Sequence, residues 1–156
     1  MSLKELRLSY EEFYSIKECP ERIQHMFNMA TEAAKKAYAP FSEFYVGVAI
    51  ELADGDLYTA SNQENKAYPS GICAERAGLF YVNGLKPDVA VITMVLVAIE
   101  KGKLVNEPAY PCGACRQVMV ESEERGKHPI EIWMIGKNLI HKTSSAQTLL
   151  PLKFSF

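Results

Sequence analysis

Two stretches, Cys73-Ala74-Glu75-Arg76 and Pro111-Cys112-Gly113-Ala114-Cys115-Arg116-Gln117, offer three thiolates to one metal ion, and a shared ion would pin two distant parts of the chain to one point. Three cysteines leave a tetrahedral zinc one ligand short, and the open position is where a catalytic zinc activates water. A structural site would be closed. Apolar residues after each stretch (Ala77, Leu79, Phe80 and Val82, then Val118 and Met119) follow helical spacing, so both motifs are expected at helix N-termini. There the free backbone N–H groups and the positive end of the helix dipole favour thiolate over thiol.

Glu75 lies two residues beyond Cys73, where a first-turn carboxylate can reach an activated water without binding the metal. It suits general acid and base work. Three thiolates outweigh the charge of one divalent ion, so such a site needs compensation. Arg76 and Arg116 are the candidates, as guanidinium donors to sulfur, with Gln117 as a weaker one.

With these residues the chain resembles the cytidine deaminases of the small, homotetrameric, three-cysteine type. The likeness extends beyond the cysteines. Ala39-Pro40-Phe41-Ser42-Glu43-Phe44-Tyr45-Val46-Gly47 resembles the family's strand entry, and Asn62-Gln63-Glu64-Asn65 with Tyr68-Pro69 its ribose segment. Leu149-Leu150-Pro151 with Phe154 resembles its C-terminal tail. The matches cover roughly residues 25 to 154. The resemblance implies one Zn²⁺ per subunit held by Cys73, Cys112 and Cys115, with Glu75 as the catalytic proton carrier. It implies that Asn62 and Glu64 bind the ribose, that Phe44 covers the base, and that the backbone at Ala74 holds the base carbonyl. Tyr68 lines the substrate site, and Phe154 closes the pocket of a neighbouring subunit in a homotetramer. The implied reaction is hydrolytic deamination of cytidine and deoxycytidine to uridine and deoxyuridine, in pyrimidine salvage. Lys66 and Gly78 depart from the alanines common in the family, and Tyr110 is bulkier than the small residue usual before Pro111.

Periodicity organises the rest. Residues 21–38 carry a helical apolar stripe (Ile23, Met26, Phe27, Ala30, Ala33, Ala34, Ala37) ended by Pro40. Residues 45–52 and 57–61, joined by Ala53-Asp54-Gly55-Asp56, are expected as a hairpin. The helix opening at Cys73 is expected to end near Asn83-Gly84. The apolar run 89–99 is expected as a strand buried on both faces, 101–110 as a polar loop and 130–135 as another strand. Alternation of these elements implies an α/β fold, a three-layer α/β/α sandwich, and the family resemblance adds a five-stranded mixed sheet. The whole of 1–156 is expected as one domain, with 1–20 an N-terminal extension that carries no motif.

The balance of 17 basic against 19 acidic residues gives a net charge of −2, which provides no footprint for nucleic acid. No apolar run is long enough to cross a bilayer and the first residues lack a signal architecture, so a cytoplasmic protein without membrane contact is expected. Free thiols assigned to metal suit a reducing compartment. Two other readings stay open. A deaminase of a modified or antibiotic cytosine nucleoside such as blasticidin S would use the same chemistry. A catalytically silent zinc module would need a fourth ligand, from Cys19, His25, His128 or His141, and would leave Glu75 without a purpose.

Overall fold

A computed structural model describes residues 1–155. In chain order the elements are β1 (Glu11–Phe13), α1 (Glu21–Ala34), β2 (Phe44–Leu52), β3 (Leu57–Ser61), α2 (Ala74–Leu85), β4 (Val91–Glu100), β5 (Lys103–Leu104), α3 (Gly113–Gly126), β6 (Glu131–Ile135) and β7 (Ile140–Thr143). The sheet has seven strands rather than five. Its order is β1-β7-β6-β4-β2-β3, with β5 paired to β4 off that path. Among the named strands of the described residues, only β4 and β6 pair in parallel, from Thr93 opposite Glu131 to Val97 opposite Ile135. The chain connects them through α3, as a parallel crossover requires.

Alternation along the central strands creates two cores. Met94 and Leu96 of β4 point to one face with Val48 and Ile50 of β2, where they meet Leu79 and Val82 of α2 and Met119 of α3. Val95 and Val97 point to the other, with Ala49 and Trp133, and meet Ile23, Met26, Ala30 and Ala34 of α1. The result is three layers: α1, the sheet, then α2 with α3. The central apolar run is therefore buried on both sides, as its composition predicts.

Close approach sets two glycines. A Cβ at Gly47 of β2 would stand 2.0 Å from the Ala30 carbonyl and 2.5 Å from the Ala34 amide, so the α1 backbone lies directly on the sheet. Gly78 of α2 lies on the opposite face, against side chains of the sheet rather than backbone. A Cβ there would come within 2.6 Å of Ile50 Cδ1, which accounts for the departure from alanine.

Two further expectations are corrected. Helix α1 stops at Ala34 rather than near residue 38, because Tyr38 is drawn into an isolated bridge with Gln63 and bonds the Asn62 carbonyl (3.0 Å). The loop 101–110 is shorter than expected. Lys101 and Gly102, both at positive φ (51° and 73°), turn the chain back so that Lys103 and Leu104 pair with the end of β4. Among the described residues no helix is long and apolar enough to cross a membrane.

Candidate active site

Both cysteine motifs open helices, as their spacing predicts. Cys73 is the N-cap of α2 and Cys112 the N-cap of α3, each with extended backbone and no side-chain cap bond. Cys115 sits in the first turn of α3 and is buried. The three sulfurs lie within 4.8 Å of one another, with Cys112 Sγ 3.4 Å from Cys115 Sγ. Sulfurs bound to one tetrahedral zinc at about 2.3 Å stand roughly 3.8 Å apart, so this donor set fits that ion. No fourth protein ligand joins the cluster among the described residues. The hydrogen-bonding Cys115 thiol, opposed by burial and joined by the Arg76 guanidinium, pulls Cys73 down to about 5. Its bond to Cys73, with burial and the Glu75 charge, pushes Cys115 well above the usual thiol range. Anionic sulfur is thus favoured at the mouth of α2.

Glu75 is 5% exposed in the first turn of α2. Burial, reinforced by the Cys73 charge and opposed by its own backbone N–H, raises its carboxyl above the ordinary range. Such a carboxyl holds a proton more readily than an exposed one, which suits a proton carrier. Arg76 directs its guanidinium at Cys73 and Cys115, which raise its own pKa against the pull of burial. Its buried Nε has no hydrogen-bond partner.

Next to the sulfurs opens a cavity of about 300 Å³ whose wall includes Asn62, Glu64, Tyr68, Cys73 and Arg76. The sequence-predicted ribose segment and the first metal ligand therefore share one space. Asn62 and Glu64 also hold the entry to β2. Asn62 accepts from the Val46 amide (2.7 Å) and donates to the Phe44 carbonyl (3.0 Å). Glu64 accepts from the Ser42 hydroxyl (2.5 Å) and from the amides of Phe41 (2.9 Å) and Ser42 (3.3 Å), which hold its carboxyl below the usual range. Phe44 is half-buried at the start of β2, and its backbone position is fixed by Asn62. Ala74 is fully buried at the first position of α2.

Two expected sulfur donors have other partners. Arg116 donates through Nε to the Pro111 carbonyl (2.8 Å) and through Nη1 to the Leu149 carbonyl (3.1 Å). Gln117 bonds the Phe154 backbone in both directions, accepting from its amide (3.1 Å) and donating to its carbonyl (3.2 Å). Arg116, four residues after Cys112, shares that side of α3 but its guanidinium extends to backbone carbonyls, and Gln117, turned about 100° further, meets the C-terminal segment. The Phe154 side chain is exposed. Glu123 went unremarked in the sequence pattern, yet this carboxylate, 5% exposed, accepts from the amides of Ile130 (2.8 Å) and Ala146 (2.7 Å) and the Ser145 hydroxyl (2.6 Å). Its place four residues after buried Met119, on the apolar stripe of α3, was the available signal.

A family model described as the cytidine and deoxycytidylate deaminase zinc-binding region matches residues 20–127. The chain belongs to this family. Its relatives include the cytidine deaminase of Sporosarcina psychrophila, 36% identical over 135 residues (85% of this chain, 91% of the relative). That of Halalkalibacterium halodurans is 41% identical over 100 residues (63% and 70%). The crystal structure of the cytidine deaminase from Burkholderia pseudomallei superposes with a TM-score of 0.70 at 34% identity, covering 84% of this chain and 98% of that one. The mixed sheet and three helices thus hold an enzyme of the cytidine deaminase family, with a trio of sulfurs in its zinc-binding region.

Proposed function

We propose that this chain catalyses hydrolytic deamination of cytidine and deoxycytidine, giving uridine or deoxyuridine and ammonia. The observation that carries this reading is a buried Glu75 beside three convergent sulfurs, one of which, that of Cys73, belongs to the wall of a cavity shared with Asn62 and Glu64. Cys73, Cys112 and Cys115 would hold Zn²⁺, which supplies the Lewis acidity that activates water at neutral pH. Arg76 offsets the charge of three thiolates from beside Cys73.

Glu75 carries the first proton of the attacking water to the ring nitrogen beside the amino-bearing carbon, where it stays in the product, and then carries the second, from the hydroxyl that becomes the new carbonyl, to the departing amine. Its raised pKa suits a group that must both accept and donate. The free N–H groups at the start of α2, at Ala74, face developing negative charge on the base carbonyl. Glu64 can accept a ribose hydroxyl while keeping its three present donors, since a carboxylate offers about four lone-pair directions. Asn62 can do so as well, since its amide oxygen keeps a second lone pair and its nitrogen a second hydrogen beside the two β2 backbone bonds. Phe44 supplies flat apolar cover, and Tyr68 borders the same space. Phe154, held at its backbone by Gln117, reaches from one subunit toward the site of the next in a homotetramer. Work on a free nucleoside, in pyrimidine salvage in the cytoplasm, accords with a net charge of −2 and with no spanning helix among the described residues.

The decisive experiment is an ultraviolet assay of the purified protein against cytidine, deoxycytidine, cytosine and blasticidin S, beside a metal determination. Turnover of the two nucleosides with one zinc per subunit is expected. Turnover of blasticidin S alone would establish the antibiotic reading, for which Lys66 in the ribose segment is the sequence feature. Zinc without turnover of any of the four would refute the assignment.

A further inference from the structure

The segment ahead of residue 20 lies outside the span matched by the family model, yet it is not detached from the site. Strand β1 pairs antiparallel with β7, which sets Glu12 directly opposite His141. Glu12 Oε1 stands 3.0 Å from His141 Nε2, and His141 Nδ1 stands 2.9 Å from the Tyr110 hydroxyl. The imidazole is packed between two rings, with its centroid 4.7 Å from that of Tyr10 and 5.8 Å from that of Tyr110. Its side chain is 13% exposed.

The chemistry polarises this chain of bonds. An ionised carboxylate can only accept, so Nε2 carries the hydrogen toward Glu12. In the neutral imidazole Nδ1 is then the acceptor, and the Tyr110 hydroxyl donates to it. Each partner fixes the next, as carboxylates fix the tautomer and orientation of histidines elsewhere. Tyr110 lies two residues before Cys112. The loop that carries it is anchored early by Lys137 N to the Val105 carbonyl (2.8 Å) and Asn138 N to the Asn106 carbonyl (3.1 Å). Arg116 anchors it late, at the Pro111 carbonyl. Between those anchors the Tyr110 hydroxyl supplies a side-chain tie. Cys112 is the exposed member of the trio, so packing constrains it least and its loop matters most.

We propose that Glu12, His141 and Tyr110 form a brace by which the N-terminal segment positions the Cys112 loop and slows loss of the metal. These are positioning residues. They touch no substrate, and the inference rests on the reading of the three cysteines as the zinc site.

The test is the rate at which zinc passes from the full-length, zinc-loaded protein to a chromogenic chelator, measured with kcat and KM for cytidine. Tyr110→Phe keeps the ring and removes the hydroxyl, and should release zinc about 3- to 10-fold faster, below the 10- to 100-fold typical of partners bonded directly to a ligand. His141→Phe should do the same, and the double variant no more, since one chain is cut once. Glu12→Gln preserves an acceptor oxygen and should restore near-normal release where Glu12→Ala does not. With zinc in excess, kcat stays unchanged. In the cobalt-substituted protein, Tyr110→Phe should shift the thiolate-to-cobalt absorption, which general loosening of β1 would not.

Glu11→Gln is the control, because it removes the Glu11–Lys142 ion pair (2.8 Å) of the same strands without touching His141. Release as slow as in the parent from both Tyr110→Phe and His141→Phe would overturn the brace, as would equal acceleration by Glu11→Gln. A parent protein that binds no zinc would instead overturn the reading of the cysteines, and the brace with it.

Discussion

Replacing Glu75 separates metal binding from proton transfer more cleanly than any other change in this chain. The three sulfurs, the α2 N-terminus and the walls contributed by Asn62 and Glu64 are independent of its side chain, so Glu75→Gln should leave all of them in place. What goes is a positioned proton carrier, worth typically about 10²- to 10⁴-fold in rate, or roughly 2.7 to 5.4 kcal/mol of barrier. Glu75→Asp tests position instead of chemistry. It keeps a carboxylate but draws it back by one methylene, and a misplacement of about 1 Å can itself cost about 10²-fold.

The structure adds a second, opposite effect. Glu75 is 5% exposed and lies beside sulfur that favours the anionic form, so its charge is held at the expense of stability. An amide of the same shape removes that burden. Glu75→Gln should therefore unfold at a temperature no lower than the parent while losing turnover, the signature of a site strained for function. The assay is kcat/KM for cytidine and deoxycytidine at one zinc per subunit, with thermal unfolding followed by circular dichroism. A Glu75→Gln protein that keeps its zinc and more than about a tenth of parental turnover would refute the proton-carrier role, since that lies below the smallest general-base effect. Loss of zinc would show that the carboxylate holds the ion.

Gly78→Ala gains about 1 kcal/mol of helix propensity but places a methyl 2.6 Å from Ile50 Cδ1 and 3.3 Å from Val48 Cγ2 in a filled core, where overpacking costs about 1 to 3 kcal/mol. A net loss of about 1 kcal/mol should lower the melting temperature by about 2 to 4 °C, and an increase would show that Ile50 yields freely. Glu123→Ala strands two buried amides at about 1 to 3 kcal/mol each, so denaturant unfolding should report a loss of about 2 to 6 kcal/mol. Glu131 is pushed up by burial but held down more strongly by its bonds from Trp133, Lys142 and Arg22. Its depressed folded pKa contributes stability above the ordinary carboxylate range, lost as pH falls through the folded value. Comparing the parent with Glu131→Gln in urea from neutral to acid pH, the stability difference should shrink on acidification, and a difference constant with pH would refute it.

The elements that were legible in the sequence are those whose own pattern decides them. The β2–β3 hairpin follows from alternation around Asp54-Gly55, and β4 from an apolar run too long to lie half-exposed. The missed strands are decided by their neighbours. β1 is three residues of mixed polarity, Glu11-Glu12-Phe13, which become a strand only because β7 offers an edge. β7, Ile140–Thr143, buries only its two ends. β5 depends on Lys101 and Gly102 accepting left-handed backbone, for which lysine carries no signal. Short edge strands have too few residues for a period to emerge, and their stability comes from pairing rather than propensity.

The site divides along the same line. Cysteines at a metal must carry particular atoms, so their identity and spacing show in one chain read alone. The residues that aim them need only a donor or acceptor at the right place, which many residue types could supply from many positions. Arg116 and Gln117 illustrate the consequence: adjacent to Cys115 in sequence, they serve the C-terminal segment through Leu149 and Phe154. Glu12 and His141, remote from every cysteine in sequence, meet the Cys112 loop through Tyr110. Adjacency along a helix changes direction by about 100° per residue, so one or two steps predict contact poorly, while three or four place two residues on one face without guaranteeing contact: Arg116, four after Cys112, bonds Pro111 and Leu149 instead. Arg76, three residues from Cys73 on the same helix, obeys that rule and does reach sulfur. The geometry of the helix, more than distance in sequence, determines which neighbours of a ligand can tune it.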